Sequence, residues 1–154
     1  MACQVDNRQR RLRVSPRRLA RAAARALMAV GRPRGRLELL VVGDRAIRDV
    51  NARFRGVRRP TDVIAFPLEI PGVPGSLVGQ VVISADTALR QARRVGVSLA
   101  AELDLLVTHG VLHCVGYDDR DPVEARLMHE RERSILARHA RRPPARLWAG
   151  LLPG

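Results

Sequence analysis

The sequence predicts an α+β domain, α/β-like in its first half, with a mixed sheet of about four strands packed against about five helices. Short apolar runs alternate with amphipathic helical stretches as far as residue 84, and helices alone follow, which is the order of a sheet-and-helix layered fold. The 154 residues suit one hydrophobic core, and no internal repeat or interdomain linker divides them. The chain is 46% apolar but only 3% aromatic, so the core must be built from Leu, Val, Ile and Ala. Residues 1–140 are expected to form the domain, and 141–154 a C-terminal tail without a readable pattern.

Each element has its own signal. Residues 2–7, "ACQVDN", read as a short opening strand. Ser15 and Pro16 cap and begin a helix whose stripe is Leu19, Ala23, Ala26, Leu27 and Val30, and Gly31 closes it. "RLELLVVG" is a strand buried over most of its length. Asp44 is expected to cap a second helix, with Ile47 and Val50 inward. "TDVIAFPLE" is strand-like and ends at Pro67, a Gly/Pro loop follows, and "VGQVVIS" is the next strand. "ADTALRQARRVG" is a third helix with Leu89 and Ala92 or Ala85 facing in. Ser98 caps the strongest helix, in which Leu99, Leu103, Leu106, Val107 and Leu112 recur at helical spacing before Gly116 ends it. Asp121 and Pro122 open the last helix.

The formal charge is +13, and all 28 basic residues are Arg. Planar guanidinium groups bind phosphate in pairs of hydrogen bonds, which points to a nucleic-acid partner. The competing reading is a compositional bias that writes Arg where Lys would serve. Cys3 and Cys114 make neither a metal pattern nor a disulfide framework, which fits a reducing cytoplasm. No signal peptide opens the sequence, and no run of apolar residues is long enough to span a membrane.

"HGVLHCVGYDD", residues 109–119, carries the chemistry. His109 and His113 are four apart in the strongest helix, so they share one face a turn apart. That is the spacing two imidazoles need to grip one metal ion. Gly116 lets the chain turn back, and Asp119 is then a natural third ligand, with Asp118 as its rival or a turn residue. A metalloprotease helix would carry Glu after the first His; Gly110 stands there, so a peptidase is disfavoured and something must approach the helix backbone closely. The plain alternative is a pair of polar residues at a helix end.

This stretch resembles the H-G-x-L-H-x-x-G-Y-D-H signature of the YbeY family of bacterial endoribonucleases. "FRGVRRPTDVIAFPLE" is similar to the family's Y-R-G-x-x-x-P-T-D-V-L-S-F-P segment, and "VGQVVIS" to its L-G-D-I-x-I-S. The order and separation agree over roughly residues 36–139. The resemblance implies a single-strand-specific, metal-dependent endoribonuclease of 16S rRNA 3′-end maturation and ribosome quality control. Its partners would be single-stranded rRNA and ribosomal particles, with one divalent metal per chain, Zn²⁺ by preference. It implies His109, His113 and Asp119 as metal ligands at the end of the central helix. Asp119 stands where the family usually has His, and Gln80 where it usually has Asp. Arg55 falls on the Arg thought to serve catalysis.

A metal held by three side chains would lower the pKa of a water that hydrolyses the phosphodiester, while Arg55 steadies the charge on phosphorus. Arg58 and Arg59 are expected on the RNA backbone or in solvent. Thr61 and Asp62 should order their loop, Cys114 should face the core, Tyr117 should cover the site or the core, and His129 and His139 should be solvated. Two other functions fit the same residues: a noncatalytic ribosome-assembly factor with a structural metal, and a non-haem Fe(II) enzyme.

Overall fold

The computed structural model describes residues 2–73, 75–138 and 143–151. Four strands form one sheet: β1 (Cys3–Asn7), β2 (Arg36–Val42), β3 (Val63–Pro67) and β4 (Leu77–Ser84). Five α-helices accompany it: α1 (Pro16–Ala29), α2 (Asp44–Arg55), α3 (Ala85–Val95), α4 (Leu99–Cys114) and α5 (Pro122–Ala137). The strand order is β1-β2-β4-β3, with β1, β2 and β4 parallel and β3 antiparallel to β4 at the edge. The fold is therefore a single α+β domain with a mixed sheet, as the alternation of patterns predicts.

Alternation along the strands separates two cores. Leu37, Leu39, Val41, Val81, Ile83 and Val63 face one way, into the main core with α1 and α4. Val42, Ile64 and Val82 face the other way and meet Ile47 of α2. Helix α4 is buried nearly all round, from Glu102 to Cys114, because the sheet, α1, α3 and α5 all pack on it. It is the spine of the molecule, and no single helix among the described residues is long and apolar enough to cross a membrane.

Side-chain caps are made at four helices, at Ser15, Ser98 and Asp121 as the sequence predicts and at Ser84 beyond that reading. Ser15 accepts from the Arg18 amide, Ser84 from Thr87, Ser98 from Ala101, and Asp121 from Val123 and Glu124. Helix α2 differs. Gly43 is its N-cap and Asp44 its first residue, with no side-chain cap from Asp44. The Asp44 carboxylate instead accepts the hydroxyls of Ser84 at 2.8 Å and Thr87 at 2.6 Å, while its amide donates to Asp86 at 3.0 Å. The starts of α2 and α3 thus satisfy each other at the C-terminal ends of the neighbouring strands β2 and β4. Leu89 is only half-buried, since the inward face of α3 is built from Ala85, Ala88 and Ala92. Val50 and Val30 are likewise half-buried.

The tail forms one more element, the 3-10 helix Ala145–Gly150, which packs on α3. His139 lies outside the described residues.

Candidate metal centre

Helix α4 presents His109 and His113 from one face near its C-terminal end. The helix stops at Val115, and Gly116 takes φ +104°, a conformation strained for any side chain. The Tyr117 amide then donates to the Leu112 carbonyl at 3.0 Å, folding the chain back across the helix end. Asp118 pins the turn: its carboxylate accepts the amides of Asp119 at 2.7 Å and Arg120 at 3.2 Å. Asp118 is thereby occupied with its own loop, and Asp119 points at the histidines.

The three side chains converge. His109 Nε2 and His113 Nε2 are 3.1 Å apart, and Asp119 Oδ2 and Oδ1 lie 3.5 Å and 3.6 Å from them respectively. A tetrahedral ion with ligand bonds of about 2.0–2.1 Å has ligand–ligand edges of about 3.3–3.4 Å, and each of these separations, the Asp119 ones taken to either carboxylate oxygen, is close to that. A second set, His109, His129 and Glu132, shares His109, and either set brings three donor atoms within 4.8 Å of one another. This region can therefore hold a metal ion. In the second set the separations are 2.6 Å for His109 Nδ1 to Glu132 Oε2 and 2.7 Å for His129 Nδ1 to Glu132 Oε1. Those are charge-assisted hydrogen-bond lengths, shorter than the edges of a tetrahedral site.

Glu132 thus acts on His109 from behind. By accepting from Nδ1 it fixes the ring with Nε2 turned toward His113 and Asp119, the arrangement carboxylates commonly impose on metal-binding histidines. Its side chain is 0% exposed, so its charge must be met by hydrogen bonds. Burial alone would raise the Glu132 carboxyl, but the bonds from His109 and His129 outweigh it and lower it. Burial works to lower His109; Asp119 and Glu132 override it and raise the imidazole to about 9. His109 and His113 in turn hold the Asp119 carboxyl far below the usual carboxylate range. Two carboxylates on one buried imidazole make this spot an attractor of positive charge, whether proton or metal.

Arg55, the last residue of α2, is exposed and lines a cleft of about 920 Å³ that His113, Tyr117 and Asp119 also line. It also borders a recess of about 110 Å³ that reaches His109, His113 and Asp62. Arg59 lines the cleft; Arg58 is exposed and does not line it. Thr61 and Asp62 order their loop as expected, Asp62 accepting the Val63 amide at 2.8 Å. Cys114 and Cys3 are buried thiols, both pushed up to about 12 by burial. Gln80 faces away from the site and donates to Glu38 at 3.3 Å. Gly110 is explained by packing: a Cβ there would lie 2.6 Å from Val81 Cγ1.

The expectation that His129 is solvated is corrected, since its Nδ1 is tied to buried Glu132 and its side chain is 27% exposed. Glu132 and Trp148 escape sequence reasoning too, though one signal was present. Met128, Glu132 and Ile135 occupy one helical stripe, and a carboxylate on an apolar stripe has to have partners.

A family model described as "Endoribonuclease YbeY" matches residues 4–140. The chain is 43% identical over 135 residues to an "Endoribonuclease YbeY" of Anaeromyxobacter sp. (strain Fw109-5), covering 88% of this chain and 70% of that one. It is 41% identical over 142 residues to one of Geobacter metallireducens, covering 89% and 95%. The solution structure of TM1509 from Thermotoga maritima superposes with a TM-score of 0.61 at 22% identity over 96% of this chain and 89% of that one, a likeness of fold. With the family pattern running from β1 through α5, and identities above 40% to two relatives carrying that name, the chain belongs to the endoribonuclease YbeY family.

Proposed function

We propose that this protein is a single-strand-specific, metal-dependent endoribonuclease acting in the cytoplasm on ribosomal particles, in 16S rRNA 3′-end maturation and ribosome quality control. In this reading His109, His113 and Asp119 hold one divalent ion, Zn²⁺ by preference, and Arg55 is the catalytic cation. The observation that carries it is the His109–His113–Asp119 triangle, sized for a metal and set in the wall of a cleft lined by arginines.

A bound divalent ion would supply Lewis-acid polarisation of a phosphoryl oxygen and of the attacking water. The chain's own residues do the rest. Asp119 brings a negative charge that two neutral imidazoles lack, so the site draws in cations and lowers the net charge presented to RNA. Arg55 offers a planar pair of donors to phosphate oxygens as charge develops on them. Arg59 extends the positive wall along which a single strand can lie, and Arg58 adds charge at its margin. Three protein donors beside an open cleft favour a catalytic over a closed structural site, which speaks for the enzyme against the assembly-factor reading.

The test is metal content, RNA affinity and cleavage of single- and double-stranded 16S 3′-end fragments by the full chain. The parent should carry one metal and cut the single strand. His113→Ala and Asp119→Ala should lose at least about 10-fold in metal affinity, and Asp119→His should retain metal. Arg55→Ala should keep metal and RNA binding but cut about 100-fold more slowly or worse. A metal-stripped parent that cuts at full rate, or an Asp119→Ala protein that holds metal like the parent, would overturn the assignment.

A further inference from the structure

The C-terminal 3-10 helix Ala145–Gly150 bears no sequence pattern, yet it is firmly seated. Leu147 is 1% exposed. Arg146 donates to the Gly96 carbonyl at 3.2 Å and Arg94 to that of Gly150 at 3.5 Å, tying the segment to α3 and its C-cap. Gly150 sits so close to α3 and α4 that a Cβ there would lie 3.3 Å from Gln91 Cβ.

Between these anchors stands Trp148, the only tryptophan of the chain. Its indole N–H donates to Glu132 Oε1 at 3.0 Å, and the Arg133 guanidinium lies 4.8 Å over its ring. Glu132 is the carboxylate whose other oxygen accepts from His109 Nδ1 at 2.6 Å. Oε1 has two donors, Trp148 and His129; Oε2 has His109. A buried carboxylate with three directional donors is held in position and orientation. Without the indole N–H, Oε1 keeps only His129, a partly exposed side chain on Glu132's own helix, and the carboxylate is freer to swing off His109.

We propose that Trp148 is a positioning residue of the metal centre: acting through Glu132, it fixes the ring of His109, so that docking of the C-terminal 3-10 helix and metal binding are coupled. The proposal rests on the reading of His109, His113 and Asp119 as ligands. The chain of contacts is Trp148 Nε1, Glu132, His109 Nδ1, with His109 Nε2 at the ligand triangle. Because coupling between two equilibria is reciprocal, whatever loosens Trp148 weakens metal affinity, and metal binding in turn alters the surroundings of Trp148. A purely structural Trp148, one that only covers α5, would affect melting but leave metal affinity alone.

The experiment uses the full chain, stripped of metal and titrated with Zn²⁺ against a chromophoric chelator, with the emission of Trp148 followed in parallel. Trp148→Phe keeps a ring under Arg133 and removes the N–H. It should bind Zn²⁺ about 3- to 10-fold more weakly with unchanged far-UV circular dichroism, one step milder than Glu132→Gln at about 10- to 100-fold. The double variant Glu132→Gln/Trp148→Phe should be no weaker than Glu132→Gln alone, because both act through one carboxylate. Zn²⁺ should change Trp148 emission in the parent and leave it unchanged in His113→Ala. Parental affinity in Trp148→Phe, additive losses in the double variant, or an emission indifferent to Zn²⁺ in a parent that binds it would each overturn the coupling while leaving the metal site standing. A parent that binds no Zn²⁺, Mn²⁺ or Fe²⁺ would overturn the metal site and the coupling together.

Discussion

Glu102 lies on the inward stripe of α4 at 0% exposure, and neither of its carboxylate oxygens has a hydrogen-bond partner among the described residues. Burial pushes its carboxyl up to about 7, the charge of Asp62 pushes the same way, and Arg94 opposes them. In the unfolded chain the group ionises near its ordinary value of 4.5. Between these values the unfolded chain has lost the proton that the folded chain still holds. Ionisation therefore favours unfolding, and stability falls as pH rises from about 4.5 to about 7, then levels off. The full cost is on the order of 3 kcal/mol, from about 1.4 kcal/mol per pH unit. Glu102→Gln keeps the shape without the charge, so its stability advantage over the parent should grow between pH 5 and pH 8 in urea unfolding. An advantage that does not change with pH would refute this account. Glu102 and Glu132 differ in an instructive way. Both sit on apolar stripes, but only Glu132 has donors facing it, so one carboxyl is pushed toward neutrality and the other toward charge.

At the scale of elements, α4 is the part on which both core and site depend, and its closeness to the sheet is set by glycine. Ala at position 110 would gain about 1 kcal/mol of helix propensity. Its Cβ, however, would stand 2.6 Å and 2.9 Å from the two methyl carbons of Val81, a short β-branched side chain held in the sheet. Overpacking of this kind costs about 1–3 kcal/mol, so the clash should win and Gly110→Ala should melt several degrees lower. Because His109 adjoins the shifted turn, metal affinity should fall with it; a variant melting at or above the parent temperature would show that the helix moves away freely. Strands and helices were legible in the sequence because caps, glycines and apolar periods are local. The capping of α2 was not, since what decides Asp44 is the pair of hydroxyls that α3 delivers from 40 and 43 residues on.

On the scale of the whole molecule the excess of Arg is distributed, and part of it is already engaged. Arg18 pairs with Asp104, Arg32 with Glu69 and Arg90 with Asp44. The cleft keeps Arg55 and Arg59 on its wall. Binding of single-stranded RNA should therefore weaken steeply with salt, with a log–log slope of roughly −0.7 per phosphate contact. About five contacts would lower affinity on the order of 100-fold between 50 and 200 mM salt. Filter binding or fluorescence anisotropy over that range checks it, and a flat dependence would mean that the charge serves some other purpose than gripping a phosphate backbone.

By itself the sequence determined the order of the elements, the i, i+4 histidine pair, the Gly116 turn and the candidacy of Asp119, because each rests on residues a few positions apart. The tertiary structure decided the rest. It turned the Asp119 carboxylate toward the two histidines and spent the Asp118 carboxylate on the amides of its own turn. It put Arg55 and Arg59 on the cleft wall and left Arg58 off it. Above all it drew His129, Glu132 and Trp148 in behind His109. The apolar stripe of α5 marks Glu132 as a carboxylate in need of partners, but no local pattern names them, since a buried charge takes its partners from whatever the packing of distant segments brings within hydrogen-bond reach.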